Sequence, residues 1–368
     1  MSGPFFERTS SRPADPVGMA GERHAPAHRP MVLIQPPSQG RVSGGYLFNR
    51  EMLWRLQRDG LGETLTVRRG ELHTVPTVGG RFLLLDSLYL NDRPWTPGEL
   101  GAHPERSTGL LIHYVPSSSP ELNEDERARM RMRERAWLDN VDRVITTSRV
   151  TAKHAAAHAS VEARIVQPGV SDDFRRSRRG PPPGSPLQLV SVGNVCAGKN
   201  QRFTLDCLAR SETKNFVWHL VGDTTSDPDY VTRLEEEARL AGIGDRLRLW
   251  GTLDHADIAS LFDEAHLYIS ASRFESYGMA TAEAVCHGIP TVCFDVGASS
   301  EWVHHGRNGL IYQPEDPTGF AHGLARVLTE ARSLHALESD SHDPPLSQFP
   351  SWEQSYDVFV NAVFGSER

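Results

Sequence analysis

The sequence predicts an α/β protein of two domains, each built on a parallel sheet that helices cover on both faces. First, short apolar runs alternate with segments of helical period from residue 31 onward. Second, the alternation stops at an Arg-, Pro- and Gly-rich segment, residues 175–186, and then begins again. Third, 368 residues are enough for two domains of ordinary size. Both halves are therefore predicted to be Rossmann-like, with a cleft where the carboxyl ends of the two sets of strands face one another.

The first predicted domain spans residues 31–175. It follows a Pro-, Arg- and His-rich stretch, residues 1–30, which is predicted to be a disordered leader. The predicted strands are the apolar runs at residues 31–37, 81–86, 109–115 and 143–148. Apolar residues recur at helical spacing after Gly44 and Gly45, so a helix is predicted to open there. A longer helix is predicted at about residues 121–140.

The second predicted domain spans residues 187–345, after a linker at residues 176–186. Its predicted strands are residues 187–193, 216–222, 247–251, 266–270, 291–296 and 309–312. Helical segments separate them, for example at residues 277–287. The last part of the chain, residues 346–368, contains an amphipathic helix whose apolar stripe needs a partner surface.

Composition excludes several classes of protein. The net charge of −8 argues against a general nucleic-acid binder, whose affinity would rest on a basic surface. No apolar run approaches the length of a membrane-spanning helix, and the first residues lack the apolar core of a signal peptide, so a cytoplasmic location is expected. The four cysteines form no Cys-x-x-Cys pair and are predicted to be buried, reduced thiols: Cys196, Cys207, Cys286 and Cys293.

The stretch "SRFESYGMATAEAVCHGIPTV", residues 272–292, places Glu275 and Glu283 eight positions apart. The chain passes here from a strand, through a polar loop, into a helix that is predicted to start near Tyr277 or Gly278. Free N–H groups and the dipole at such a start form an anion site, which a diphosphate would fit. The two glutamates would then flank the diphosphate. The alternative is that Glu275 is only an acidic residue at the helix start and Glu283 faces solvent.

A second strand-to-helix turn, "SVGNVCAGKNQ" at residues 191–201, contains one lysine. Lys199 is placed where its ammonium group could meet phosphates in the cleft, although lysines are common at helix starts. A third turn, within "GASSEWVHHGRNGLIY" at residues 297–312, is rich in small residues and leads through a Gly-rich return into a strand.

Together these stretches resemble the donor-binding domain of the GT-B glycosyltransferases of family 4, the retaining "group 1" enzymes. That family carries a Glu-x7-Glu motif in a similar context, then a Gly-rich, Glu-containing turn and a Gly-x-Asn-Gly return. It also carries a Gly-Arg-x(4)-Lys turn, which Gly193, Asn194 and Lys199 resemble. The resemblance covers about residues 140–330.

The resemblance implies roles for individual residues of the second domain. Glu275 matches the glutamate beside the donor sugar, Glu283 the one that binds the ribose, and Lys199 the lysine on the diphosphate. Asn194 stands where the family usually has arginine, so one diphosphate contact is missing or replaced. The remaining donor-binding residues implied are Gly193, Ser276, Tyr277, Gly278 and Met279.

In the first domain the resemblance is looser. Gly44 and Gly45 match a glycine loop near the donor phosphates and the acceptor, and His113 matches a histidine near the transferred sugar. The alternative for His113 is a core histidine whose hydrogen bonds are satisfied. The resemblance also implies that the C-terminal helix crosses back to pack on the first domain.

The implied function is retaining transfer of a sugar from a nucleotide-sugar donor to an unidentified small-molecule, saccharide or lipid-linked acceptor. No cofactor and no metal are expected, because the helix N-terminus and Lys199 would stabilise the departing diphosphate. Catalysis would use Glu275, His113 and Lys199. Two alternatives stay open: a catalytically silent nucleotide-sugar sensor, and an epimerase or phosphorylase of the same architecture.

Two further patterns have a second interpretation. Asp227-Pro228-Asp229 matches the Asp-x-Asp of metal-dependent transferases, but it precedes a helical segment and is predicted to cap a helix. The arginines interleaved along residues 127–135 suggest contact with a membrane surface or an anionic lipid acceptor. A solvated helix with ion pairs such as Asp125–Arg129 is favoured instead.

Overall fold

The structure is a computed structural model. It describes residues 31–37, 43–72, 82–93, 107–119, 121–157, 162–176, 178, 186–341 and 346–365. The predicted leader and most of the predicted linker lie outside the described residues, so the boundaries assigned to them remain predictions.

The first sheet has six parallel strands in the order β2-β1-β3-β4-β5-β6. These strands are β1 (Met31–Gln35), β2 (Gly62–Thr66), β3 (Phe82–Asp86), β4 (Ser107–Ile112), β5 (Arg143–Thr146) and β6 (Ala163–Ile165). The helices are α1 (Gly44–Arg58), α2 (Glu124–Leu138) and α3 (Arg149–Ala156). Four of the strands match predicted apolar runs. Strands β2 and β6 were not predicted, because β2 reads "GETLT" and β6 has three residues, and neither forms an apolar run.

The second sheet also has six strands, in the order β12-β11-β10-β7-β8-β9, and its pairs are parallel. They are β7 (Leu187–Val192), β8 (Phe216–Val221), β9 (Leu247–Leu249), β10 (Leu267–Ser270), β11 (Thr291–Phe294) and β12 (Gly309–Tyr312), and each lies within a predicted run. The helices are α4 (Gln201–Arg210), α5 (Pro228–Leu240), α6 (His255–Glu264), α7 (Met279–Cys286), α8 (Ser299–Trp302), α9 (Pro317–Thr329) and α10 (Ala331–Ser341).

The order of the strands determines where a ligand can bind. In the first sheet β1 lies between β2 and β3, and in the second β7 lies between β8 and β10. In each sheet the chain first adds strands on one side of β1 or β7 and then adds the remaining strands on the other side. In open parallel sheets a crevice forms at such a point, outside the carboxyl ends of the strands. The loops that follow β1, β3, β7 and β10 are consequently the expected binding loops.

The last helix, α11 (Trp352–Phe364), begins at a capping box in which Ser351 and Gln354 exchange hydrogen bonds. Its apolar face joins the core of the first domain, where Trp352 and Phe359 both lie edge to face against Phe48. The predicted crossing of the C-terminal helix back to the first domain is confirmed.

Contacts across the cleft connect the two domains at the loop after β10. The Ser148 hydroxyl donates to the Ser276 carbonyl at 2.7 Å, and the rings of Tyr114 and Phe274 meet edge to face at 5.8 Å. Phe274 and Ser276 are the neighbours of Glu275 in the chain. The position of this loop therefore depends on the first domain as well as on its own sheet.

The four cysteines are free thiols, as predicted. Three of them are buried, but Cys196 is half-buried, so its predicted burial is wrong. Among the described helices, none combines the length and the apolar character needed to cross a bilayer.

We expect Phe359→Ala to lower the free energy of unfolding by about 3–5 kcal/mol, because the ring is fully buried and its removal leaves a cavity. Val358 is the matched control: it precedes Phe359 on α11 and is 49% exposed, so Val358→Ala should change stability by less than about 0.5 kcal/mol. Denaturant unfolding of both variants measures the difference. Equal effects would mean that α11 is not part of the first domain's core.

Candidate active site

A cavity of about 480 Å³ lies between the two domains, at the carboxyl ends of both sheets. Every residue that the sequence analysis singled out for the site lines it. These residues are Gly44, Gly45, His113, Gly193, Asn194, Lys199, Glu275, Ser276, Tyr277, Gly278, Met279 and Glu283. The structure thus brings together motifs from both halves of the chain, although the role of each residue remains a prediction.

Lys199 and Glu275 form an ion pair through Nζ and Oε1. The lysine chain lies over Gly193, where a Cβ would come within 3.1 Å of Lys199 Cε and where φ is +149°. Gly297, at φ +61°, allows a similar approach from the other side, because a Cβ there would lie 2.8 Å from the Glu275 carbonyl oxygen. Glycines at both positions therefore permit the two loops to bring this pair together. Both residues were predicted to lie at the site, but their pairing was not predicted.

The helix α7 presents its N-terminus to the same cavity. It begins after Gly278, which has φ +90° and supplies no capping side chain. The first N–H groups of a helix have no partner within it, and residues Met279, Ala280 and Thr281 all line the cavity. An anion placed here would meet free donors and the positive end of the helix dipole.

Glu283 lies in the second turn of α7 and is only 6% exposed, so the solvent-facing alternative is wrong. Among the described residues, no hydrogen bond or ion pair reaches its carboxyl group. Burial raises the pKa of Glu283 to about 8. At neutral pH this carboxyl group therefore holds a proton and can donate a hydrogen bond as well as accept one.

Asn194 occupies the position at which arginine is usual in the family that this turn resembles. Its backbone carbonyl accepts a hydrogen bond from Gln201 Nε2 at 2.9 Å, which ties the turn to the start of α4. The side chain is a neutral amide, so Lys199 is the cation that this turn provides to the cavity.

His113 forms part of the first-domain wall. Its Nε2 lies 2.7 Å from Asn49 Oδ1 and 3.9 Å from Asp86 Oδ2. Burial lowers the pKa of the imidazole, and Asp86 opposes this more weakly. Gly45 lies against the ring, since a Cβ there would be 3.1 Å from His113 Cβ.

Gly44 faces the opposite domain, because a Cβ on it would be 3.1 Å from Met279 Sδ. The glycine pair therefore permits one close approach to the histidine and one across the cleft. Both glycines were predicted to lie at the site, but these contacts were not predicted.

The structure adds Asn49 and Asp86 to the site. Asp86 lines the cavity, and Asn49 links it to His113. Asp86 ends the predicted strand "RFLLLD", and a carboxylate at a strand's carboxyl end was the available signal. Asn49 gave no comparable signal, because it is one polar residue inside an amphipathic helix.

Asp227 caps α5, as predicted: its Oδ1 accepts from the Tyr230 N–H at 3.1 Å, and Pro228 occupies the first turn. Within the described ranges, no group of three or more His, Cys, Asp or Glu residues is arranged to hold a metal ion.

The arginine-rich helix α2 makes ion pairs that differ from the predicted Asp125–Arg129 pair. Glu124 instead pairs with Arg127 at 3.8 Å and with Arg131 at 3.6 Å. Glu124 at the first position of the helix reaches the arginines three and seven residues later on one face. Arg127 also donates to the Ser117 carbonyl at 2.7 Å.

Comparison with solved structures identifies the fold. Sucrose-phosphate synthase from Thermosynechococcus elongatus superposes with a TM-score of 0.74 at 18% identity, covering 90% of this chain and 97% of that one. HepE from Anabaena, solved in complex with UDP-glucose, gives a TM-score of 0.68 at 16% identity, covering 89% and 98%. The fold of this chain is GT-B, as the sequence predicts.

Comparison with protein families identifies the domain that carries the glutamate motif. Residues 186–330 match the family described as glycosyl transferases group 1. The match covers the second domain, and the predicted resemblance to the GT-B, group 1 glycosyltransferases is confirmed.

Curated relatives agree with this assignment. D-inositol 3-phosphate glycosyltransferase 1 of Catenulispora acidiphila is 28% identical over 193 residues, or 50% of this chain and 45% of that protein. Alpha-D-kanosaminyltransferase of Streptomyces kanamyceticus is 25% identical over 269 residues, or 72% of this chain and 64% of that protein. In both, the match spans less than two thirds of the relative's length.

The buried Glu283 makes a prediction about stability and pH. Its pKa is about 8 in the folded protein and 4.5 ordinarily, so the unfolded chain loses the proton first as pH rises. The contribution of Glu283 is therefore fully present below pH 4.5 and is lost between pH 4.5 and 8. Glu283→Gln should match wild type near pH 4 and exceed its free energy of unfolding by about 3–5 kcal/mol above pH 8.

The measurement is denaturant unfolding of both proteins across this range. The difference between them isolates Glu283, because half-buried histidines with lowered pKa, such as His219 and His266, change both profiles equally. Glu264→Gln, at an exposed position on α6, is the control. A difference for Glu283→Gln that does not vary with pH would contradict the assignment.

Proposed function

We propose that this chain is a retaining glycosyltransferase of family 4 that moves a sugar from a nucleotide-diphosphate donor to a hydroxyl of an acceptor. The observation that carries the proposal is the convergence on one interdomain cavity of Lys199, Glu275, Glu283 and the uncapped start of α7. A group 1 domain supplies this wall, and the first domain supplies the opposite wall with His113.

The donor diphosphate would bind at the start of α7, with Lys199 as its cationic partner. Free N–H groups and one ammonium are suited to the charge that develops on a departing diphosphate. Glu283 would contact the ribose hydroxyls, for which a carboxyl group that both donates and accepts is suitable. In this proposal Lys199 and the helix end supply the charge stabilisation that a metal would otherwise supply.

The transfer would exchange one bond for another on the same face of the sugar. The acceptor oxygen bonds to the anomeric carbon as the bond from that carbon to the diphosphate breaks. The acceptor's proton passes to a phosphate oxygen, and the diphosphate leaves with the pair of electrons. The protein's contribution is to position both substrates and to stabilise the leaving charge.

The first donor to test is UDP-glucose, because HepE was solved in complex with it and shares this fold. The acceptor class stays broad: a small molecule, a saccharide or a lipid-linked saccharide. The names of two relatives mention an inositol phosphate and a kanosaminyl transfer, and these differ too much to single out one acceptor class for this chain.

The test is a panel of nucleotide sugars, measured by thermal shift and by release of nucleoside diphosphate, with and without a chelator. Stabilisation together with chelator-resistant turnover supports the proposal, and the anomeric configuration of the product by NMR decides retention. Stabilisation without transfer or donor hydrolysis would favour the silent sensor instead. Activity lost in chelator and restored by magnesium would overturn the metal-independent part.

Glu275 and Glu283 should affect different kinetic constants. Glu275 would lie beside the sugar, where positive charge builds on the anomeric carbon, so Glu275→Gln should lower kcat by about tenfold or more with little change in donor KM. Glu283→Gln should chiefly raise donor KM, because a ribose contact is similar in the ground and transition states.

The readout is kcat and donor KM of both variants, with Glu264→Gln on the exposed part of α6 as the control. Small and equal effects on the two motif variants would remove both residues from the reaction. A rise in KM alone for Glu275→Gln would place it on the donor without a role in the transition state.

A further inference from the structure

A buried chain of hydrogen bonds lies behind His113. Asn49 and Asp86 are each 1% exposed, and Asn49 Nδ2 donates to Asp86 Oδ2 at 2.6 Å. The same amide nitrogen donates to Gln35 Oε1 at 2.9 Å. Both hydrogens of the Asn49 amide nitrogen are therefore used within this network.

Asp86 determines which way the donors point in this chain of hydrogen bonds. Its Oδ1 accepts the Leu88 N–H at 2.7 Å and its Oδ2 accepts from Asn49 Nδ2 at 2.6 Å, so both carboxylate oxygens act as acceptors. Only the nitrogen end of the Asn49 amide can face such an oxygen, so the oxygen end of that amide faces His113. Asn49 Oδ1 can only accept. His113 Nε2, 2.7 Å away, must therefore carry a hydrogen.

The other ring nitrogen of His113 is then the ring's free acceptor. A neutral imidazole with its hydrogen on Nε2 has a lone pair on Nδ1, and burial lowers the pKa of this ring, which favours the neutral form. Phe48 lies edge to face with the ring at 5.1 Å, and Gly45 lies against its Cγ–Cδ2 side. Among the described residues, Nδ1 has no hydrogen-bond partner, and His113 lines the cavity.

We propose that Asn49 is a positioning residue, which holds the hydrogen of His113 on Nε2 so that Nδ1 accepts a hydrogen bond from a hydroxyl of the sugar bound in the cavity. The identity of the ligand rests on the proposed glycosyl transfer, whereas the direction of the hydrogen-bond chain does not. The hydroxyl belongs to the transferred sugar or to the acceptor, which share this chemistry. Asp86 acts one step further back, because it orients the Asn49 amide.

The first experiment needs no ligand and tests the hydrogen-bond chain alone. Protein labelled with ¹⁵N-histidine is measured by NMR, and the His113 signals are assigned by their loss in His113→Ala. Wild type should show the hydrogen on Nε2. In Asp86→Asn the remaining oxygen accepts the Leu88 N–H, and an NH2 group replaces the oxygen that faces Asn49. The Asn49 amide should then turn round, which should populate the His113 tautomer with the hydrogen on Nδ1. A wild-type ring with its hydrogen on Nδ1, or the same tautomer in both proteins, would overturn the proposal.

The second experiment is a double-mutant cycle in the transfer assay with UDP-glucose. Asn49→Leu should lower kcat/KM by about tenfold or more, but by less than about twofold in a His113→Ala background, because Asn49 acts through the histidine. A purely structural role would lower kcat/KM equally in both backgrounds, and that result would overturn the proposal. Thermal unfolding of each variant identifies losses that come from misfolding.

The cycle also identifies which substrate carries the hydroxyl. If the loss in Asn49→Leu appears in donor hydrolysis without acceptor, the hydroxyl belongs to the transferred sugar; if it appears only in the acceptor KM, it belongs to the acceptor. Should no nucleotide sugar be turned over, the proposed function fails, and the NMR result still decides whether Asn49 fixes the histidine tautomer.

Discussion

The arrangement of the two domains depends on a contact between two segments of the chain that cross from one domain to the other. The first crossing passes through Gly169, and the second leads into α11 at Trp352. A Cβ on Gly169 would come within 2.5 Å of Trp352 Cα, so glycine is required where the two crossings touch. The Val170 N–H donates to the Pro350 carbonyl at 2.8 Å, and Ser355 Oγ donates to the Gln167 carbonyl at 2.6 Å. This contact makes α11 part of the first domain, and it sets the two sheets with their carboxyl ends facing.

The cavity that results has an unusual balance of charge for a diphosphate site. Lys199 is paired with Glu275, Asn194 provides no charge, and the raised pKa of Glu283 keeps that carboxyl group protonated at neutral pH. The attraction for a diphosphate then comes from the Lys199 ammonium together with the free N–H groups of α7. A protonated Glu283 helps here, since a second carboxylate in the same cavity would repel the phosphates.

The sequence predicts those parts of the fold and site that rest on local pattern. Apolar runs located the strands of the second sheet, because parallel strands buried on both faces contain few polar residues. The Glu275–Glu283 stretch and the Lys199 turn could be found because each is contiguous. The strands β2 and β6 were missed, since one is half polar and the other very short.

Contacts between distant residues could not be predicted in the same way. Lys199 and Glu275 are 76 residues apart, and Asn49 lies 37 residues from Asp86 and 64 from His113. The burial that raises the pKa of Glu283 likewise comes from the packing of whole elements, whereas its local sequence alone favoured a solvated position. These contacts depend on which loops the two sheets bring together in space, and local sequence patterns do not specify that arrangement.

The proposed transfer requires that a nucleotide diphosphate binds between Lys199 and the start of α7. A crystal structure of the protein with UDP, together with UDP affinity for wild type and Lys199→Ala, tests this binding site. We expect phosphate oxygens within hydrogen-bond distance of Lys199 Nζ and the first N–H groups of α7. We also expect an affinity loss of about 1.5–3 kcal/mol in the variant, as for a charge-assisted hydrogen bond. Phosphates bound elsewhere, or an unchanged affinity, would rule out this binding site.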